Sequence, residues 1–337
     1  MNRSLGLFGS ILLTFYFLIA RPGCNLDLEN PVSVRDYYPP AAEYTPITEP
    51  AIQNGQTYHQ SNTSHAPSTI IVGSFNIQTF GPSKASKPPV MEKLVDIARR
   101  FDLLAIQEIR DQEQTVLHQL VSQINADGSR YGYIVGMRQG YTFSKEQYAY
   151  IFDLSKLRLT SNPYDSPNPN NALHRPPLVA SFECTQAPPG QGFSFTVVNV
   201  HTDPDVVQEE FQAFDYLLPA IRANHPEEDD FIFLGDFNDS EKRIQRHRWL
   251  DNQLPLVRST WSTKVRSGRS LDNIVIDGMR TAEYRNQSGV MDLKLHYSLN
   301  DQQALQISDH YPVWAVFSTV EYQERMVNTP ITPAARR

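Results

Sequence analysis

The chain has 337 residues, a formal net charge of −7 and a pI of about 5.7. Hydrophobic residues make up 40% and charged residues 20%, which is ordinary for a soluble globular protein. The acidic balance argues against nucleic-acid binding through a broadly basic surface, but not against an enzyme that meets phosphates through a bound divalent cation. The two cysteines, Cys24 and Cys184, form no disulfide framework and no zinc motif, and Cys184 reads as a plain strand residue.

Residues 1–24 read as a targeting segment. Met1-Asn2-Arg3 is a short positive start, and an apolar run over 5–20 follows, slightly short for a membrane span. Gly23-Cys24 after that run has the form of a bacterial lipoprotein signal, although Arg21 and Pro22 depart from the residues usual there. Lipidation at Cys24, cleavage with secretion, and retention as an uncleaved anchor are the three readings. All three put the remaining chain outside the cytoplasm, in the periplasm, on the envelope or in the medium. Residues 25–67 are rich in Pro, Ser, Thr, Asn and Gln without an apolar period, and read as a disordered tether reaching roughly 35 Å. Residues 321–337 read as a disordered tail.

Residues 68–320 read as one domain. Strand-like apolar runs fall at 69–75, 103–107, 133–137, 148–152, 179–182, 193–200, 231–234, 273–276 and 312–317. Helical stripes form from Met91, Leu94, Val95 and Ala98, from Val116, Leu120 and Ile124, and from Val207, Phe211, Phe214, Leu218 and Ile221. Many strands follow one another without a helix between them. That pattern favours an α/β sandwich of mixed sheets over a doubly wound parallel sheet.

Polar clusters recur at the strand ends. They are Phe75-Asn76, Gln107-Glu108-Ile109-Arg110-Asp111, Val200-His201-Thr202-Asp203, Gly235-Asp236-Phe237-Asn238, Leu271-Asp272 and Ser308-Asp309-His310. Each Asp or Asn alone is what a turn former looks like. Glu108 is different, because it continues an apolar strand where an unpaired carboxylate is costly. Together the clusters supply two histidines for proton transfer near neutral pH, and carboxylates and amides for a cation and a phosphate. Asp236 and Asn238, two apart, are expected on the same side of the strand end. No G-x-S-x-G elbow and no Walker glycine loop occurs.

The segments Asn76-Ile77-Gln78-Thr79-Phe80-Gly81, Ile106-Gln107-Glu108-Ile109-Arg110-Asp111, Lys145-Glu146, Gly235-Asp236-Phe237-Asn238 and Ile307-Ser308-Asp309-His310-Tyr311-Pro312-Val313 resemble, in order and spacing, the deoxyribonuclease I family of the endonuclease/exonuclease/phosphatase superfamily. The resemblance spans about residues 69 to 319. It implies a four-layered α/β/β/α sandwich and a Mg²⁺- or Mn²⁺-dependent endonuclease that leaves 5′-phosphates with little sequence preference. By the same resemblance Glu108 is the principal metal ligand, with Asn76 and Asp309 nearby. His310 paired with Asp272 is the base, and His201 oriented by Glu146 is the acid. Asp236 and Asn238 position phosphate and metal, and Arg110 and Arg175 contact DNA.

The chain also departs from the family. Ser144 stands where the family has a tyrosine that packs on a deoxyribose, with Tyr141 near enough to substitute. Gln78 and Leu271 replace an arginine and a tyrosine, the structural disulfide has no counterpart, and only Asp165 falls near a structural Ca²⁺ loop. The runner-up readings keep the fold but take a phospholipid such as sphingomyelin or a small phosphodiester, or discard catalysis for an envelope-tethered binding module. No protein partner is evident, and a monomer with a DNA substrate is expected.

Overall fold

A computed structural model describes residues 68–141 and 145–322. The expected signal segment with Cys24, the tether, Ser144 and all but the first two residues of the expected tail lie outside the described residues. In chain order the strands are β1 (Thr69–Phe80), β2 (Leu103–Ile109), β3 (Tyr131–Val135), β4 (Gln147–Asp153), β5 (Leu157–Leu159), β6 (Tyr164–Asp165), β7 (Leu178–Cys184), β8 (Ser194–His201), β9 (Phe231–Asp236), β10 (Gln253–Pro255), β11 (Asp272–Asp277), β12 (Tyr284–Val290) and β13 (Val313–Ser318). The helices are α1 (Pro82–Ala85), α2 (Pro88–Ala98), α3 (Val116–Ile124), α4 (Val207–Asn224), α5 (Glu241–Ile244), α6 (Leu293–Tyr297) and α7 (Asp301–Ile307).

Two mixed sheets result. One has the order β12-β13-β1-β2-β4-β3, the other β10-β11-β9-β8-β7-β5, with β6 also pairing β7. Each contains one parallel pair, β1 with β2 and β8 with β9. A parallel pair needs a crossover, and the three apolar stripes fold as the helices that provide or flank it: α2 and α3 on one sheet, α4 on the other.

Alternation along the strands builds the interior. Ile70 and Val72, Leu103 and Ala105, Tyr148, Tyr150 and Phe152, and Val313, Ala315 and Phe317 share one cluster with Leu178, Ala180, Phe182, Phe195, Val197, Ile232, Leu234, Ile274 and Ile276. This cluster is the seam between the sheets. The opposite faces pack on helices. Phe75, Leu104, Ile106 and Ile151 meet α2, α3 and α7. Val198, Val200, Phe231, Phe233 and Val275 meet Phe211, Phe214, Leu218 and Ile221 of α4. Each fully buried Phe or Leu here contributes about 1.5–3 kcal/mol of burial free energy. The molecule is therefore an α/β sandwich with an apolar seam between its two sheets and helices on their outer faces.

Gly235 is where two strands meet most closely. Its φ is +149°, and a Cβ there would lie 1.8 Å from the Val200 carbonyl oxygen, inside the parallel pairing of β8 with β9. Backbone cannot yield as a flexible side chain would. Gly235→Ala is expected to lower unfolding stability by at least about 2 kcal/mol, read from urea midpoints at unchanged m-value.

Candidate active site

The inward-facing register that builds the seam also builds the site. Continued to the strand ends, it turns Asn76, Gln107, His201, Asp236 and Asp272 toward the gap between the sheets. His201 lies opposite Asp236 across β8 and β9, and Asp236 lies opposite Asp272 across β9 and β11. Three reactive side chains thus stand in one row. Behind them a buried polar chain bridges the sheets: Gln107 Nε2 donates to Asn199 Oδ1 at 2.7 Å, and Asn199 Nδ2 donates to the Ile106 and Ala149 carbonyls.

Asp236 is the hub. It is 2% exposed. One of its oxygens, Oδ2, accepts from Asn76 Nδ2 at 3.1 Å and lies 3.4 Å from His310 Nε2 and 3.7 Å from His201 Nε2. The other accepts from the Asn238 backbone N–H at 3.0 Å. Each histidine is held from behind. His201 Nδ1 meets Glu146 Oε1 at 2.6 Å, and His310 Nδ1 meets Asp272 Oδ2 at 2.8 Å. The His310 segment is fixed by Ser308, whose hydroxyl donates to the Asn76 carbonyl and accepts from the His310 N–H.

Backbone strain shapes the opposite wall. Gln78, Thr79 and Glu108 have φ of 45°, 56° and 62°, and the pairing of β1 with β2 shifts register between Asn76 and Phe80. Non-glycine residues in this region are costly, and bulges of this kind re-aim side chains beside functional sites. Here they turn Glu108 to the cleft. Its carboxylate accepts from Asn76 Nδ2 at 3.0 Å and from the Thr79 N–H at 2.9 Å, and lies 3.3 Å from Arg110 Nη2. Lys84 holds the bend from beneath by donating to the Ile77, Gln78 and Ile307 carbonyls.

Several residues stand differently from the simple expectation. Asn238 lies beyond the end of β9 with φ of 49°, so the two-residue rule of a strand does not apply to it. Its amide donates to the Thr202 carbonyl at 2.7 Å. Arg175 is largely buried behind the acid pair, with Nε donating to the His201 carbonyl at 2.9 Å and 3.3 Å from Glu146 Oε1. Arg110, a third exposed, reaches Glu108 and lies 3.5 Å from Glu146. Asp165 accepts from the Met137 N–H and from Gln139 Nε2, so both of its oxygens already have donors. Tyr141 is 62% exposed, its ring edge-on to His174 at 4.5 Å. Cys184 is a buried strand residue whose thiol burial pushes up to about 12.

Lys264 escaped the sequence reading altogether. Its Nζ lies 2.5 Å from Asp309 Oδ2 and 2.7 Å from His310 Nε2. It sits in a loop without apolar period, and only the pairing of Lys264 with His310 brings it to the cleft. An ammonium has no lone pair, so Lys264 can donate to His310 Nε2 only when that ring is neutral, with its proton on Nδ1 toward Asp272. Lys84, in the four-residue helix α1, was missed as well.

The charges are strongly interdependent. Burial works against the His310 imidazolium, yet Asp272 and Asp236 raise its pKa to about 9 while Lys264 opposes them. Burial likewise opposes His201, and Glu146 overcomes it to raise that pKa. Burial would raise the Asp236 pKa, but the two histidines hold it below the usual carboxylate range. Asp272 is raised, chiefly by burial. A folded-state pKa for His310 above its unfolded value of 6.5 stabilises the fold fully below pH 6.5, and this stability is lost as pH rises toward 9. In EDTA the Tm is therefore expected to fall over that interval, and to fall less in His310→Asn. Removing the ammonium in Lys264→Met is expected to raise the His310 pKa further, read by NMR titration of the imidazole Cε1–H.

Residues 73–310 match the model of the endonuclease/exonuclease/phosphatase family. The chain is 30% identical over 260 residues to deoxyribonuclease-1 of Sus scrofa, covering 73% of this chain and 90% of that protein. It is 28% identical over 267 residues to deoxyribonuclease gamma of Rattus norvegicus, covering 74% and 84%. An endonuclease/exonuclease/phosphatase structure from Bacteroides vulgatus aligns over 75% of this chain and 100% of its own, with a TM-score of 0.51 at 13% identity. Humanized D. rerio TDP2 aligns over 74% and 99%, with a TM-score of 0.51 at 14% identity. These two speak to the fold alone. The chain belongs to the deoxyribonuclease I family within the endonuclease/exonuclease/phosphatase superfamily, and it is a phosphodiester hydrolase of that fold.

Proposed function

We propose that the protein is an exported, Mg²⁺-dependent endonuclease that hydrolyses DNA phosphodiesters to 5′-phosphate products. The single observation that carries the proton chemistry is the convergence of two carboxylate-anchored histidines on Asp236, with Nε2 atoms 3.4 and 3.7 Å from Oδ2. Two imidazoles presented from opposite sides are what an in-line attack needs: one to take a proton from water, the other to give one to the leaving oxygen. His310 accepts the proton of the attacking water at Nε2, and Asp272 holds its Nδ1–H. His201 donates from Nε2 to the leaving 3′ oxygen, with Glu146 and Arg175 fixing the ring. Asp236 stabilises positive charge on whichever histidine carries it.

The donors on the Glu108 wall fit a hard cation. Its carboxylate faces the cleft beside the Asn76 amide, and Asp309 is a quarter exposed at the rim. Carboxylate and amide oxygens suit Mg²⁺ or Mn²⁺ better than zinc. Glu108 and Asp309, with Asn76 once its Oδ1 leaves the Gln78 N–H it accepts from, would hold the ion, which when bound supplies positive charge beside the phosphoryl oxygens. Lys264 adds a fixed positive charge at the same rim. The DNA reading draws on the names of the deoxyribonuclease relatives; in it Arg110, a third exposed, meets a phosphate and the exposed Tyr141 a sugar. Residues 1–24 support export, and among the described residues no helix is long and apolar enough to cross a membrane.

Purified protein is expected to nick supercoiled plasmid with Mg²⁺, to stop in EDTA, and to leave ends that ligate directly. His310→Ala is expected to lose at least ~10²-fold in rate. Sphingomyelin turnover with intact plasmid would assign the site to a lipid substrate instead.

A further inference from the structure

The strands that lead to the site have far ends, and these converge as well. β9 delivers Asp236 at one end and is preceded by Asp230 at the other. β11 opens with Asp272 and leads, past its end, to Glu283. β13 follows His310 and leads to Glu321. At about 3.3 Å per residue this second convergence lies ~20 Å from Asp236. Asp230, Glu283 and Glu321 each offer a carboxylate oxygen, all within 4.8 Å of one another. Glu228 adjoins them and accepts from the Asp230 N–H at 2.8 Å.

Two of these acids are fully removed from the surface, and Glu228 and Glu321 are half-buried beside them. Asp230 is 1% exposed and Glu283 0%. Asp230 Oδ1 and Glu283 Oε2 are buried without a hydrogen-bond donor. The buried Thr281 hydroxyl faces Asp230 and closes no well-formed hydrogen bond. The cations of neighbouring elements are engaged elsewhere: Arg158 with Glu183, Arg280 with Asp277, Arg285 with the Tyr322 hydroxyl and Arg222 over the Phe231 ring. Among the described residues no ion pair reaches the cluster. Burial, then the charge of Glu283, pushes the Asp230 carboxyl up to about 9, and burial pushes Glu321 up to about 7. Buried like charges must be neutralised, by shared protons or by a cation.

We propose that Asp230, Glu283 and Glu321, with Glu228 and the Thr281 hydroxyl beside them, form a second divalent-cation site suited to Ca²⁺. All-oxygen donors from separate, adaptable segments are what Ca²⁺ takes. The site is remote from the Glu108 wall and from Asp165. Its role is structural. It joins the entry of β9 in one sheet to the flanks of β12 and β13 in the other. The carboxylates also fix backbone, since the Tyr322 N–H donates to Glu283 Oε1 at 2.5 Å and the Ser194 N–H to Glu321 Oε2 at 3.0 Å.

Thermal unfolding and calorimetry of the full chain with CaCl₂ test this without substrate. Ca²⁺ at a hundredfold excess over its Kd is expected to raise Tm by ~5–10 °C. The rise should persist in Glu108→Gln, which removes the catalytic-wall carboxylate. It should vanish in Glu283→Gln, which should keep wild-type plasmid nicking in Mg²⁺. An equal Ca²⁺ response in Glu283→Gln overturns the proposal. So does a wild type indifferent to Ca²⁺, which would mean that the cluster shares protons. If Glu283→Gln does not fold, Glu108→Gln decides alone. It should bind one Ca²⁺ per chain and exchange the Ser194 and Tyr322 amides more slowly with Ca²⁺, and unchanged exchange overturns the site.

Discussion

Asp236 ends a strand that is paired on both sides, and it is almost wholly removed from water. An ionised carboxylate in that position is tolerable only if neighbours answer its charge. Two histidines, the Asn76 amide and the Asn238 N–H do so. The histidines and Asn76 come from three other segments, so the electrostatic demand of one side chain holds four parts of the chain in register. Gly235 makes this geometry attainable, because only a residue without a Cβ lets β9 run this close to Val200.

The two walls of the cleft are built on different principles. On the β8, β9 and β11 side, regular pairing sets out His201, Asp236 and Asp272 in a row. On the β1 and β2 side, regular pairing breaks, and left-handed residues aim Glu108. Lys84 braces the broken segment from below, and burial lowers its pKa to about 8 while Glu108 and Asp309 partly oppose that shift. Left-handed non-glycine residues gather on the wall that turns Glu108 to the cleft, and on the other wall Asn238 takes that backbone region only past the end of β9. The regularly paired wall carries His201, Asp236 and Asp272. A parallel logic operates at the far ends of β9, β11 and β13, where carboxylates collect with no ion pair among the described residues.

Long, strongly patterned elements were readable. Apolar runs over 193–200 and 231–234 mark β8 and β9, and the spacing of Val207, Phe211, Phe214, Leu218 and Ile221 marks α4. The strands that escaped are short or lie at an edge. β5, β6 and β10 have two or three residues, and β12 carries Arg285, Asn286 and Gln287 exposed, so no apolar face announces it. α7 could have been found from its capping box, in which Asn300 and Gln303 exchange side-chain bonds with each other's backbone. Its apolar face is only Ala304 and Ile307, too little to register as a stripe.

Sequence by itself showed which ionisable residues gather at the strand ends, His201, His310, Glu108, Asp236, Asp272 and Asp309, whereas Glu146 came only from the family resemblance. It could do so because a strand's period is local, and so is the change from apolar to polar at its end. Tertiary structure decided which of these groups face one another and how closely. It also turned Asn238 out of the strand, drew Arg175 behind Glu146, and brought Lys264 onto His310. Those outcomes depend on pairing between segments distant in sequence, on left-handed backbone and on burial. No local pattern records them, since each is set by where two folded surfaces meet.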